Sequence, residues 1–534
     1  MEPMNICFVA SEVAPFAKTG GLADVAGALP AALHRKGHDV RVFMPLYSVI
    51  DFSGHEVVPV DFLHHVPVHL GGQVFHFSVF TTKLPGSGAG AGGAETTPKK
   101  PAKGKSAKTS KAKAKSASAK AKGRAAKENG DGPDADGVDV YFIGCPPLFD
   151  RDSIYTGDWE DHLRFAMLSQ AALKCCQHMG WAPDIVHCND WHTGLVPLYL
   201  KTTFGWDRHI FGNARSVFTI HNLAYSGAFP AEVVGNLGLD GFHHLLHQEH
   251  LEQGLVSYLE TGILHADVIT TVSRTYAQEI QTPSFGHGMD GLLRMRSDSV
   301  LGIVNGVDYG VWNPEVDPEL PRNYGIDDVE EGKAACRAHL LSEMGLSDDP
   351  HAPTLGIVSR LTAQKGFEIT HDAVLQALRY LNIRLVILGS GERSLEEHFL
   401  WLQGQFPDKV CFYRGFNNHL AHLIEAGADI FLMPSRFEPC GLNQMYSLKY
   451  GTIPLVRRTG GLADTVELYD RNTGRGNGVV FDHYNSTGFA WGLKTALELW
   501  RDPEIRARIR HNAMSADWSW ERQSSRYEAL YRAL

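Results

Sequence analysis

The chain has 534 residues, 43% hydrophobic and 21% charged, with a net charge of −10. That length exceeds the ~250–300 residues over which a single core grows, so two or more domains are expected, and the composition excludes a wholly disordered or fibrous protein. No apolar run reaches transmembrane length, and the start, MEPMNICFVASE, lacks the basic-then-apolar layout of an export signal, which favours a cytoplasmic protein.

In chain order, short continuous apolar runs predict strands at 6–10, 40–44, 185–188, 217–220, 268–272 and 301–304, then at 354–358, 385–388, 410–413, 430–433, 453–456 and 479–481. Strands of this kind separated by helix-sized gaps indicate parallel sheets covered on both faces. Two such series predict an α/β protein with two doubly wound lobes. The division is expected near Asn305-Gly306-Val307-Asp308, giving lobes of 1–304 and 305–518.

Residues 85–137 break the rhythm with Gly/Ala-rich, Lys/Ala-rich and Gly/Asp-rich stretches that hold almost no large apolar side chain. Such a segment cannot bury enough surface to offset its ordering entropy and is predicted to be disordered. The β-like runs 73–80 and 138–143 flank it, so it reads as an insertion at a hairpin tip. Twelve Lys or Arg and no acid lie in 98–127, so the rest of the chain carries −22 against the net −10. An acidic body argues against nucleic-acid binding by the whole protein and leaves a local electrostatic tether open for the tract. Gly88-x-Gly90-x-x-Gly93 imitates a dinucleotide motif but no helix pattern follows it, and Asp134-Ala135-Asp136 imitates a metal motif but lies in a Gly/Pro/Asp-rich linker.

In doubly wound sheets ligands bind beyond the carboxyl ends of the strands. After the first strand stands Lys18-Thr19-Gly20-Gly21-Leu22-Ala23-Asp24, with a helix pattern from Val25. Paired glycines at a helix start suit an anion, and equally a tight turn beside a surface lysine. After 185–188 comes Asn189-Asp190-Trp191-His192, read as a helix opening with an N-cap-like Asn/Asp; His192 fits a structural or a catalytic role. Arg360 and Lys365 follow the first strand of the second lobe, where a basic pair suits a pyrophosphate clamp or a solvated surface. Gly389 and Gly391 follow the next strand and permit close approach of a nucleoside.

The strongest local signal is Glu438-Pro439-Cys440-Gly441-Leu442-Asn443-Gln444 after strand 430–433. It offers an acceptor for sugar hydroxyls and donors for phosphate. A glycosidase needs two facing carboxylates, and no such pair is evident, which fits transfer from a nucleotide rather than hydrolysis. TGGLAD then recurs at 459–464, after Arg457-Arg458; this copy reads as a strand-to-helix turn, with a ligand-facing edge left open. None of the eight cysteines forms a C-x-x-C pair, so most are expected to be small buried side chains.

In this order KTGGLADV, HCNDWHTG, TIHNLAYSG, NGVD, VSRLTAQKG, MPSRFEPCGLNQ and KYGTIPLVRRTGGLADTV resemble the bacterial glycogen synthases and plant starch synthases, over essentially all the chain outside the insertion. The resemblance implies two Rossmann-like lobes of the glycosyltransferase B type facing across a cleft, with a last helix, 519–534, returning to the first lobe. It implies transfer of glucose from ADP-glucose to the non-reducing 4-hydroxyl of an α-1,4-glucan with retention of configuration. No metal, cofactor, nucleic acid or membrane is implied.

By the same resemblance Lys18, Gly20 and Gly21 line the pyrophosphate, and Arg360 and Lys365 stabilise departing ADP. His192 and Asn305 contact the glucose, with Asp24 close by. Glu438 holds glucose hydroxyls and steadies positive charge at the anomeric carbon, and Cys440, Gly441 and Leu442 supply backbone around it. Lys18, His192, Arg360, Lys365 and Glu438 form the implied catalytic set; Lys333 matches a family lysine too loosely to join it. Phe416 stands where related enzymes stack Tyr on adenine. Tyr446 stands where related retaining transferases carry a second Glu, leaving the ribose without an assigned partner. A sugar-nucleotide epimerase of similar fold and a non-catalytic glucan-binding protein are the competing readings; FEPCGLNQ disfavours the first and the intact polar set the second.

Overall fold

A computed structural model describes residues 2–84 and 137–534. The first sheet has ten strands. Seven run parallel in the order Val300–Gly302, Val268–Thr271, Arg215–Ile220, Ile185–Asn189, Asn5–Val9, Asp39–Pro45 and Val138–Gly144. Gln73–Leu84 then pairs antiparallel with Val138–Gly144, and Val58–Pro59 and Val66–Leu70 pair antiparallel with it. The first lobe thus carries an antiparallel extension beyond its parallel sheet. Leu84 lies opposite Val138, so the ends flanking the low-complexity stretch face each other across a ladder. The disorder expected there, and the two rejected motifs, fall outside the described residues.

The second sheet is parallel throughout, in the order Val410–Arg414, Arg384–Gly391, Thr354–Leu361, Ile430–Met433, Ile453–Arg457 and Val479–Phe481. Its central strands are buried along their apolar length because helices cover both faces. Strand order reverses between Thr354–Leu361 and Ile430–Met433 here, and between Asn5–Val9 and Ile185–Asn189 in the first sheet. At such a switch point the following loops diverge and open a crevice. The segments carrying Arg360, Lys365 and Glu438 leave one crevice; those carrying Lys18, Asp24 and His192 leave the other.

Five helices border the cleft or join the lobes: α1 (Gly21–Arg35), α2 (Arg274–Glu279), α3 (Asn443–Tyr450), α4 (Gly460–Thr465) and α5 (Trp520–Arg532). Helix α1 starts at Gly21, earlier than the apolar pattern from Val25 implies, because Gly20 is already extended and Gly21 takes the first helical turn. Helix α5 packs on the first lobe: Arg35 pairs with Glu521 at 2.8 Å, Lys36 donates to Ser525 at 2.8 Å, and buried Tyr531 meets His187 at 2.6 Å. The approach to α5 runs beside the other crossing between the sheets, with Val307 N–H donating to Trp518 C=O at 2.7 Å and Val307 bridging Ser519. Val272, Val304, Val307, Cys440 and Met445 make a small apolar cluster at this junction.

All eight cysteines are free, and seven are buried. Among the described residues no helix is long and apolar enough to cross a membrane. Trp520 is 4% exposed and packs in the first core. Trp520→Ala should cost ~3–5 kcal/mol through the cavity it leaves, lowering the thermal midpoint of the first lobe by roughly 10 °C in calorimetry; a change under about 2 °C would contradict this packing role.

Candidate active site

The first wall of the inter-lobe cleft begins where the buried strand Asn5–Val9 ends. Glu12, 3% exposed, lies just beyond it. Its carboxylate accepts from Thr19 N–H at 2.5 Å, Thr19 Oγ1 at 2.6 Å, Gly20 N–H at 3.2 Å and the Tyr155 hydroxyl at 2.5 Å. The N–H groups of Thr19 and Gly20 therefore already serve a carboxylate at the start of α1, where the helix dipole favours one. Open space is what the glycine pair contributes: a Cβ on Gly20 or Gly21 would meet no atom within 4 Å. Lys18 reaches Asp24 at 2.6 Å. Burial raises the Asp24 carboxyl above its usual range, opposed by the Lys18 charge.

Asp190 does not cap a helix as the sequence suggests. It sits at φ 57, its side chain makes no cap bond, and a short 3-10 turn, Trp191–Thr193, follows. Its Oδ1 turns to the next strand, accepting from His221 N–H at 2.7 Å and more weakly from Asn222 N–H. Burial pushes this carboxyl up to about 7. His192 stacks on Tyr155, ring centroids 4.7 Å apart, and meets Phe165 edge-on. Burial, reinforced by the Arg164 charge, holds the imidazole well below its usual range, so it is neutral near pH 7. His192 Nδ1 and Asn305 Oδ1 are both buried without a protein partner. Unpaired buried polar atoms are costly and uncommon, so two on one cleft wall point to a polar ligand.

On the second wall Lys365 and Glu438 form an ion pair at 2.6 Å, and Ser435 Oγ donates to the same carboxylate oxygen at 2.9 Å. Glu438 is 5% exposed, so its charge is held by these partners rather than by water. Arg360 is exposed and forms no ion pair among the described residues. Gly389 answers first to the fold, since a Cβ there would stand 2.2 Å from Ser359 C=O. Burial pushes the Cys440 thiol up to about 12, which excludes a thiolate nucleophile at neutral pH. Gly441, at φ 74, turns the loop before α3. Phe416 is 80% exposed although it lines the cleft.

The cleft encloses about 850 Å³. Lys18, Gly20, Gly21, Asp24, His192, Asn305, Arg360, Lys365, Gly389, Phe416, Glu438, Cys440, Gly441 and Leu442 all line it, although they come from segments far apart in sequence. Lys333 does not: it is buried, bonds Ala426 C=O at 2.7 Å and Thr452 Oγ1 at 2.6 Å, and burial pushes its ammonium down to about 7. Tyr446 stacks on Trp312 at 4.0 Å, almost parallel. The two His/Glu groups with metal-ligand spacing among the described residues, His247/His250/Glu260 and His339/Glu343/His419, take no part in the cleft lining.

Sequence reasoning missed Glu12, Tyr155, Asp190 and Glu425, all of which line the cleft. Glu12 carried a signal, a carboxylate between a buried strand and a glycine turn. Tyr155 carried none, because only the tertiary fold stacks it on His192. Glu425 is buried in a helix; one oxygen accepts from Ser447 at 2.7 Å, the other is unpartnered, and burial pushes the carboxyl up to about 8.

Residues 5–90 and 99–295 match the model of the starch synthase catalytic domain, and 347–515 that of group 1 glycosyl transferases. The glycogen synthase of Myxococcus xanthus is 43% identical over 537 residues, and that of Syntrophotalea carbinolica 41% over 535, each spanning 99% of this chain and 99% and 98% of theirs. Among solved structures, the catalytic domain of starch synthase IV from Arabidopsis thaliana, bound to ADP and acarbose, superposes with a TM-score of 0.84 at 30% identity, covering 100% of this chain and 99% of that one. Sucrose-phosphate synthase from Thermosynechococcus elongatus, at 14% identity and a TM-score of 0.56, shares the fold alone. With its two-lobed α/β fold, its cleft and relatives matched end to end, the chain belongs to the glycogen and starch synthase family of glycosyltransferases.

Proposed function

We propose that the cleft transfers glucose from ADP-glucose to the non-reducing 4-hydroxyl of an α-1,4-glucan, with retention at the anomeric carbon and release of ADP. The observation that carries this is the lining of one cleft by cations from both lobes, Lys18 on one side and Arg360 and Lys365 on the other, around a carboxylate that Lys365 already holds. Such a site suits a leaving diphosphate, whose negative charge grows as its bond to the sugar breaks. ADP and acarbose, bound by the Arabidopsis relative, support a nucleoside diphosphate and a saccharide as the ligands here.

In this scheme the bond from C1 to the phosphate oxygen breaks, and the acceptor O4 bonds C1 on the same face. The acceptor proton passes to the departing diphosphate oxygen. Lys18, Arg360 and Lys365 stabilise that diphosphate. Glu438 takes glucose hydroxyls and steadies positive charge at C1 without bonding to it. Neutral His192 and Asn305 bring their unpaired Nδ1 and Oδ1 to glucose hydroxyls, and Asp24 keeps Lys18 in place. Gly20, Gly21, Cys440, Gly441 and Leu442 let backbone approach the donor closely, and Gly389 with Phe416 forms the adenosine side. Phe416 offers a ring face for adenine, and stacking needs nothing more.

Incubation with radiolabelled ADP-glucose and glycogen should place label in polymer. Altered free sugar would instead indicate an epimerase, and absence of turnover a binding protein; parallel runs with UDP-glucose measure donor preference. Arg360→Ala and Lys365→Ala should each lower kcat by roughly 100-fold or more, the scale of losing a positioned charge at a developing anion, with little change in glucan KM; a change confined to glucan affinity would refute the assignment. Phe416→Ala should raise the KM for ADP-glucose about tenfold, within the ~1–3 kcal/mol range for loss of a base-stacking ring, while Phe416→Tyr leaves it nearly unchanged. Trapping a glucosyl adduct on Glu438 would contradict this scheme.

A further inference from the structure

The second TGGLAD segment lies outside the cleft lining, yet it touches both lobes. Helix α4 begins there and packs against α2 of the first lobe. Glu279, at the end of α2, accepts from Gly460 N–H at 3.1 Å and from Thr459 Oγ1 at 2.9 Å, at the start of α4. Asp464, toward the end of α4, accepts from Arg274 N–H at 2.6 Å, Thr275 N–H at 3.1 Å and Thr275 Oγ1 at 2.7 Å, at the start of α2. Each helix therefore supplies, from near its C-terminal end, the carboxylate that occupies the other's first turn. Charge-assisted bonds of this kind are stronger than neutral ones, and each carboxylate is favoured by the dipole of the helix whose first turn it meets.

The other face of α4 grips the segment that carries the site carboxylate. Gly461 N–H donates to Glu438 C=O at 3.1 Å and to Pro439 C=O at 3.2 Å. The approach is so close that a Cβ on Gly460 would stand 1.9 Å from Glu438 C=O, and one on Gly461 would stand 2.0 Å from Cys440 C=O. Gln444 Nε2 ties Cys440 C=O at 3.0 Å to Thr465 Oγ1 at 3.2 Å. The glycine pair is thus required by backbone contact, and α4 joins α2 of one lobe to the Glu438 loop of the other.

We propose that Glu279 and Asp464 are positioning residues that couple the seating of the two lobes to the placement of the Glu438 carboxylate. The inference rests on Glu438 being the donor-side carboxylate. Separating α2 from α4 breaks both capping sets at once and releases the strut behind Glu438, so the donor site is complete only when the lobes are seated. Partial burial raises the Glu279 carboxyl above its usual range.

The test uses the full chain with E279Q, D464N, the double variant and T275V, which removes one donor to Asp464 without altering charge. Measured are kcat, KM for ADP-glucose and glycogen, the thermal midpoint, and the radius of gyration by X-ray scattering with saturating ADP. E279Q and D464N should each lower kcat about tenfold or more, with glucan KM within about twofold. T275V should fall between them and the parent chain. The double variant should lose far less than the product of the singles, since both carboxylates serve one contact. In the ADP-bound state the double variant should be more expanded than the parent. An active parent whose single variants keep turnover within about twofold would overturn the coupling, as would losses that follow the thermal midpoint alone. Scattering decides the contact independently of turnover: an inactive parent would sink the proposed function, and an unchanged radius in the double variant would sink the coupling.

Discussion

Two separate sheets must present their carboxyl ends to one space, and the site depends on that constraint. Parallel strands covered by helices on both faces expose useful loops only at their ends, and the parallel part of each sheet has one reversal of strand order from which the loops diverge. The chain crosses between the sheets around Asn305–Val307 and again around Trp518–Trp520, and the two crossings run side by side, joined through Val307. A junction so narrow fixes little by itself. The relative placement of the walls therefore falls to side-chain contacts away from it, and the α2–α4 pair is the most fully hydrogen-bonded of these.

Charge within the cleft follows one pattern on both sides. Lys18 is held by Asp24 and Lys365 by Glu438, each at 2.6 Å. A lysine kept in place by a neighbouring carboxylate meets an incoming diphosphate with less side-chain freedom to lose. The Lys365–Glu438 pair is the more enclosed of the two, so its attraction is screened less than that of the half-exposed Lys18. The neutral groups, His192 and Asn305, are instead buried with atoms that no protein group pairs, which the hydroxyls of a sugar satisfy.

The twin TGGLAD segments show one local design put to two uses. In both, a Thr-Gly step at a helix start receives a carboxylate: Glu12 at Thr19 and Gly20, and Glu279 at Thr459 and Gly460. In the first copy the carboxylate comes from the same lobe, and the glycines face open cleft. In the second it comes from the opposite lobe, and the glycines press on the backbone of Glu438 and Cys440. The expectation that the second copy is a strand-to-helix turn holds for its shape but misses its contact with the other lobe.

Strand positions were legible in the sequence because continuous apolar runs between helix-sized gaps have few other structural solutions. The lining residues were legible as well, because Lys18, Lys365 and Glu438 follow strand ends and Arg360 lies at the carboxyl end of its own strand, where doubly wound sheets leave room for a ligand. Local pattern failed where a residue's partner is distant in the chain. Asp190 looks like a helix cap but serves the strand beyond it, Tyr155 becomes a wall of the site only by stacking on His192, and Glu279 has no visible purpose until the second lobe arrives. Sequence by itself determined which segments become strands and which loops carry charge, since those follow from short-range periodicity and spacing. Tertiary structure alone decided which carboxylate answers which helix and which glycines face a ligand or a neighbouring carbonyl, because these depend on distances between segments that no local pattern encodes.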